Sequence, residues 1–119
     1  MIEESFAKKF AEEWIEAWNS HDISAIMDHY ANDIVFLPPF IVQVNNDPTE
    51  TINGKDELER YFRRALDLYP DLRFGLLNVL SSVNSIVLYY TSVKELTAAE
   101  FMELDENGKV LKVCAHYSK

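Results

Sequence analysis

The chain has 119 residues, 11 Lys and Arg against 20 Asp and Glu, a formal charge of −9 and one cysteine, Cys114. That length suits a single domain over 1–119 with a core large enough to need no disulfide or metal staple, and a lone cysteine excludes an internal disulfide. The negative charge argues against nucleic acid and anionic lipid; no apolar run is long enough to cross a bilayer, and Met-Ile-Glu-Glu-Ser is no export signal, so the expected setting is the reducing cytoplasm.

From Glu3 to Trp18 the apolar residues Phe6, Phe10, Trp14 and Trp18 recur at helical spacing, with Ala7, Ala11, Ile15 and Ala17 widening the stripe. Asn19, Ser20 and His21 break the pattern, and Asp22 can cap a short second helix carrying Ile23, Ile26, Met27 and Tyr30. A β-prone run, Asp33 to Leu37, ends at Pro38-Pro39, which cannot donate to a ladder. Phe40 to Ile52 reads as an excursion with a turn at Asn45-Asn46-Asp47-Pro48. A third helix is expected from Asn53, as cap, through Leu58, Tyr61, Phe62 and Leu66 to Tyr69, where Pro70 stops it. Four strands follow, Leu72 to Ser82, Ile86 to Val93, Ala98 to Asp105 and Lys109 to Tyr117. Helices first and a meander afterwards predict an α+β fold, three N-terminal helices packed on a mainly antiparallel β-sheet.

Asn107-Gly108 is the favoured pair for a two-residue type I′ turn, which would set Glu106 opposite Lys109. Counting outward, Leu104 faces Leu111, Glu103 faces Lys112, Met102 faces Val113, Phe101 faces Cys114, Glu100 faces Ala115, Ala99 faces His116 and Ala98 faces Tyr117. This register makes opposite-charge pairs and gathers one apolar face, in which the sole carboxylate is Glu100. Burying a lone carboxylate costs several kcal/mol unless it is protonated or hydrogen-bonded. Glu100 is therefore either a structural hydrogen-bonding group or a pocket acid with a raised pKa, and small Ala115 opposite leaves room for a ligand. The other face carries Phe101, Cys114, Ala99 and His116, a mixed apolar patch that a second copy would cover in a homodimer.

Two stretches carry a family resemblance: Trp18-Asn-Ser-His-Asp-Ile23 followed by Tyr30-Ala-Asn-Asp-Ile-Val-Phe-Leu-Pro-Pro39, and the hairpin from Glu100 to Ser118; the helix start Gly54-Lys-Asp-Glu-Leu58 adds to them. The chain resembles the nuclear-transport-factor-2-like superfamily, particularly its SnoaL-like and ketosteroid-isomerase-like members. The resemblance implies a cone-shaped fold with a curved sheet enclosing one pocket, and a homodimer. Matched onto the isomerase site, Pro38 stands where that family has its aspartate base. Trp14 and Glu100 stand at the two oxyanion-hole positions, which in ketosteroid isomerase hold a tyrosine and a protonated aspartate. Phe62 and Tyr30 stand where two supporting tyrosines are found. Isomerisation of a ketosteroid by the family's route would lack its base. The implied catalytic pair is Glu100 and Tyr30, in a pocket lined by Trp14, Trp18, Phe36, Phe62, Met102, Val113, Ala115 and Tyr117.

His21, His29 and His116 lack metal-ligand spacing, and no phosphate loop or nucleophile elbow occurs, so neither metal nor cofactor is expected. His29 with Asp33 reads as a solvated surface pair, the other reading being acid-base partners at the pocket mouth. Three functions are compatible with these residues. One is a cofactor-free isomerase, cyclase, dehydratase or hydrolase using Glu100 on a small apolar carbonyl or hydroxyl compound. The second is a non-catalytic protein binding such an apolar or aromatic ligand, and the third a protein-interaction module.

Overall fold

In the computed structural model, which describes residues 1–37 and 51–118, the N-terminal stripe forms helix α1 (Glu4–Asn19) and buries Ala7, Phe10, Ala11, Trp14, Ala17 and Trp18. Phe6 departs from the expected core role: it is 43% exposed, and its ring covers Gly108 in the far hairpin, 3.1 Å from where a Cβ there would lie. The polar break after Trp18 closes the helix. The N–H groups of His21 and Asp22 donate to the carbonyls of Trp18 and Ala17, and His21 takes the left-handed conformation, φ 56°, that this Schellman termination requires. Asn19 then anchors the chain ahead of the sheet, accepting from the Phe74 N–H at 2.6 Å and donating to the Phe74 carbonyl at 2.9 Å.

Asp22 caps helix α2 (Ile23–Met27) as expected, accepting from the Ala25 N–H at 3.2 Å. Helix α3 (Lys55–Leu68) does not use Asn53 as its cap. Asn53 still belongs to a strand, opposite Val35, and its side chain turns back to the Thr51 carbonyl. Gly54 takes the capping position at φ 89°, a conformation open to glycine, with its N–H donating to Ile34 at 2.8 Å.

The strands are β1 (Tyr30–Leu37), β2 (Ile52–Asn53), β3 (Gly75–Ser81), β4 (Ser85–Thr91), β5 (Thr97–Leu104) and β6 (Val110–Tyr117). They form one curved six-stranded sheet in the order β2-β1-β6-β5-β4-β3, antiparallel except where β1 runs parallel to β6. Strand β1 starts at Tyr30, three residues before the expected Asp33. Pro38, Pro39 and the expected excursion as far as residue 50 lie outside the described residues. Helix α1 packs on β3 and α3 on β1, and the side chains between helices and sheet make one apolar core.

The β5–β6 hairpin corrects the expected turn. Asp105 and Lys109 close it through the Asp105 N–H and the Lys109 carbonyl, and Gly108 donates to the Asp105 carbonyl. Only Gly108 has positive φ there, +77°, so a three-residue loop with glycine in the left-handed position replaces the type I′ turn, which needs two such residues. The Asp105 carboxylate selects this loop, accepting from the Asn107 and Lys109 N–H groups at 2.8 and 2.9 Å. Leu104 consequently faces Val110 rather than Leu111, and a bulge between that pair and Glu103↔Lys112 restores the expected register; Glu100 lies opposite Ala115. Val110 joins the buried face and Leu111 is half-buried, the reverse of the expectation.

Candidate small-molecule site

Between the helices and the inner sheet face lies a cavity of about 90 Å³. Six of the eight side chains that the sequence assigns to ligand binding line it, Trp14 and Trp18 from α1, Phe36 from β1, Phe62 from α3, and Ala115 and Tyr117 from β6, together with the catalytic pair Tyr30 from β1 and Glu100 from β5. Met102 and Val113 do not. They pair with each other two residues nearer the hairpin turn than Glu100 and Ala115, a displacement of about 7 Å along the strands, and both are fully enclosed in the core. Sequence reasoning missed Tyr61, Ala65, Tyr69, Leu72 and Phe74 on the helix side, and Tyr90, Ser92 and Val93 at the end of β4. Half-buried Ala65, Tyr69, Val93 and Tyr117 mark the solvent side of the wall, while Trp14, Tyr30, Tyr90 and Glu100 form its buried floor.

Ring packing holds the wall in place. Trp14 stacks on Phe74 with centroids 5.7 Å apart, Trp18 meets Phe62 edge-on at 4.8 Å, and Phe74 touches Tyr90 at 4.8 Å. Phe74 is in turn the residue clamped by Asn19, so the termination of α1 sets the position of three rings in the wall.

The polar groups on the floor are few and mostly engaged. Trp14 Nε1 donates to the Tyr30 hydroxyl at 3.0 Å. The indole N–H occupying the matched oxyanion-hole position is thus already used. Trp18 Nε1 is close enough to Tyr30 to favour its ionised form slightly, yet falls short of a hydrogen bond and has no partner among the described residues. Tyr90 donates its phenolic proton to Glu100 Oε1 at 2.5 Å, whereas Oε2 has no partner among the described residues. Ser92 Oγ donates to the Tyr117 hydroxyl at 3.5 Å.

Glu100 is only 4% exposed, and desolvation raises its pKa to about 7 even though the Tyr90 hydrogen bond favours the carboxylate. Among the described residues no Lys, Arg or His lines the cavity to compensate its charge. The phenols of Tyr30 and Tyr90 are pushed up, first by burial and then by the nearby Glu100 charge, and stay neutral at physiological pH. The floor therefore holds one carboxyl whose proton exchanges near neutrality, within reach of neutral donors.

His29 fits neither of its expected roles. It is half-buried, its Nδ1 lies 3.1 Å from the Ala25 carbonyl and its ring meets Phe10 edge-on at 5.1 Å, away from the cavity wall, while Asp33 is exposed. Burial lowers its pKa.

The SnoaL-like domain family matches residues 11–118 of this sequence. The chain belongs to that family. A SnoaL-like protein of unknown function from Burkholderia thailandensis is similar along nearly the whole length, with 37% identity, 99% of this chain and 98% of the other covered, and a TM-score of 0.93. A candidate ketosteroid isomerase from Kribbella flavida shares the fold at 18% identity and a TM-score of 0.71, covering 95% and 78% of the two chains. IdmH, a candidate polyketide cyclase from Streptomyces antibioticus, does so at 12% identity and a TM-score of 0.77, covering 94% and 91%. No curated protein matches the sequence. In this SnoaL-like chain Tyr30, Phe62, Trp14 and Glu100, the described positions matched to the isomerase site, all line one cavity; Pro38, matched to its base, lies outside the described residues.

Proposed function

We propose that this chain is a cofactor-independent enzyme of isomerase or cyclase type that binds a small, largely apolar carbonyl or hydroxyl compound in the Trp14–Glu100 cavity and transfers one proton through Glu100. The observation that carries the reading is the state of that carboxyl: buried, pKa about 7, one oxygen fixed by Tyr90 and the other unpartnered among the described residues. A side chain with those properties can take a proton from carbon and return it elsewhere, because both protonation states are populated near neutral pH. Tyr30 would hold the developing oxyanion as a neutral donor, and a helix-capped cone around one pocket would exclude water from the reaction. The lining also favours a second reading, a non-catalytic binding protein, because among the described residues it holds one carboxyl and no Asp, second Glu, His, Lys or Arg.

Deuterium incorporation separates the two readings. Single-ring enones and their unconjugated isomers, incubated in D₂O with the protein, should exchange or isomerise with the wild type and not with Glu100→Gln. Binding of those compounds without exchange would favour the second reading, and exchange retained in the variant would remove Glu100 from the mechanism.

The partner proposed for the outer sheet face is a second copy of this chain. Leu80, Val87, Phe101, Cys114 and Leu37 form one cross-strand row over five strands, and Leu80 is 55% exposed. Phe101→Glu should shift a sedimenting dimer to monomer; a wild type already monomeric at micromolar concentration would refute the pairing.

A further inference from the structure

The two side-chain atoms on the cavity floor that lack partners among the described residues are a donor, Trp18 Nε1, and a carboxyl oxygen, Glu100 Oε2. Both residues are at least nine-tenths buried, at 5% and 4% exposure, and both line the same cavity. A buried polar atom left without a hydrogen bond costs about 1–3 kcal/mol, so a guest carrying oxygen recovers stabilisation that an apolar guest does not. Two neighbouring donors are taken: Trp14 Nε1 by Tyr30, and the Tyr90 phenol by Glu100 Oε1. Size narrows the class of guest. An enclosed apolar protein cavity of about 150 Å³ holds benzene; this one, at about 90 Å³, is smaller but open to solvent past half-buried Tyr69, Val93 and Tyr117, so a single ring is its upper bound and a fused polycycle exceeds it. Trp18, Phe62 and Phe74 put three aromatic rings in the lining, which suits a planar ring.

From these observations we infer that the ligand is a neutral, single-ring compound bearing a carbonyl or hydroxyl oxygen, and that Trp18 Nε1 and Glu100 Oε2, not Trp14, are the polar contacts it makes beside the Tyr30 hydroxyl. The inference rests on the reading of this cavity as a ligand site and adds to it a size class and a specific donor.

The two tryptophans of the chain make the test direct, since each gives one indole N–H signal in a ¹⁵N-¹H correlation spectrum, assigned by Trp18→Phe. Titration with 2-cyclohexen-1-one and with phenol should shift the Trp18 indole signal strongly downfield while the Trp14 signal moves little. Toluene should enter without that downfield shift. 2-Naphthol should bind at least tenfold more weakly than phenol. Trp18→Phe should weaken 2-cyclohexen-1-one about five- to tenfold, one hydrogen bond's worth, and toluene less than twofold. A downfield shift at Trp14 instead, or equal loss of toluene and enone affinity in Trp18→Phe, overturns the donor assignment and leaves the ligand site standing. Binding of 2-naphthol as tight as that of phenol overturns the size class alone. If none of the four compounds perturbs either indole, the inference and the ligand-site reading fail together.

Discussion

Replacing Glu100 by Gln keeps the shape of the side chain and removes its charge, so the stability difference between the two proteins isolates what ionisation costs the fold. Burial lifts the carboxyl from 4.5 to about 7, and at about 1.4 kcal/mol per pKa unit the span is on the order of 3 kcal/mol. The sign follows from linkage. A carboxyl whose folded pKa lies above its unfolded value stabilises the fold fully below about pH 4.5, and this contribution is lost as pH rises through about 7. Urea denaturation of both proteins at half-unit steps from pH 5 to pH 8 measures it; taking the difference at each pH cancels His29 and the surface carboxylates. Relative to wild type, Glu100→Gln should gain a few kcal/mol across that window, most of it between pH 5 and 7, and level off above. A difference that stays flat, or that falls with rising pH, would show a solvated or cation-paired carboxylate and refute the desolvation argument.

Tyr90→Phe should raise the Glu100 pKa further, because the phenol hydrogen bond is the influence holding it down, and should cost about 1–3 kcal/mol by leaving the buried carboxyl without its donor; carboxyl ¹³C titration reads the first effect and denaturation the second. Gly108→Ala should cost at least about 1 kcal/mol, since φ is +77° and the new Cβ would press on the Phe6 ring at 3.1 Å; an unchanged melting temperature would contradict both strain and contact.

Much of this arrangement is legible from short-range signals. The α1 stripe, the Asp22 cap, the class of the sheet and the Glu100–Ala115 pairing all depend on periodicity or on chemistry within a few residues. Tyr90 was not legible, although it holds Glu100. The two sit diagonally on neighbouring strands, Tyr90 opposite Ala98 and Glu100 opposite Leu88, and that relation needs the β4–β5 register. The connection there is a short 3₁₀ turn, Val93–Glu95, with Lys94 and Glu95 both at positive φ. Neither residue type announces that conformation, so adjacent Tyr89 and Tyr90 were equal candidates to face inward. Phe74 was hidden for a different reason: Asn19 positions it across 55 residues of sequence, and a polar residue after a helix signals a stop without naming its distant partner. Met102 and Val113 show the converse error, since strand alternation identifies the inward face but does not say where along it the cavity lies.

In the hairpin, too, register decides which side chains face the cavity. A three-residue loop moves the pairing by one residue relative to the type I′ expectation, and the bulge at Leu111 moves it back. A one-residue slip turns every side chain to the other face. Without the second shift Cys114 would be drawn inward opposite Glu100, and Ala115, whose small side chain leaves the cavity open, would face out. The bulge is visible in the burial of β6, where Val110 and Val113 are enclosed while Leu111 and Lys112, consecutive residues, both stay out of the core. Deleting Leu111 should therefore be tolerated. The sequence Val110-Lys112-Val113-Cys114-Ala115 then alternates without interruption, with Val110 still opposite Leu104 and Lys112 still opposite Glu103. The loss is one half-buried leucine, about 1–2 kcal/mol. Cross-strand nuclear Overhauser contacts between Glu100 and Ala115 should survive the deletion, and the Glu100 pKa should stay near its wild-type value. Contacts between Glu100 and Cys114 in the shortened chain would show that the loop, rather than the facing apolar residues, dictates the register.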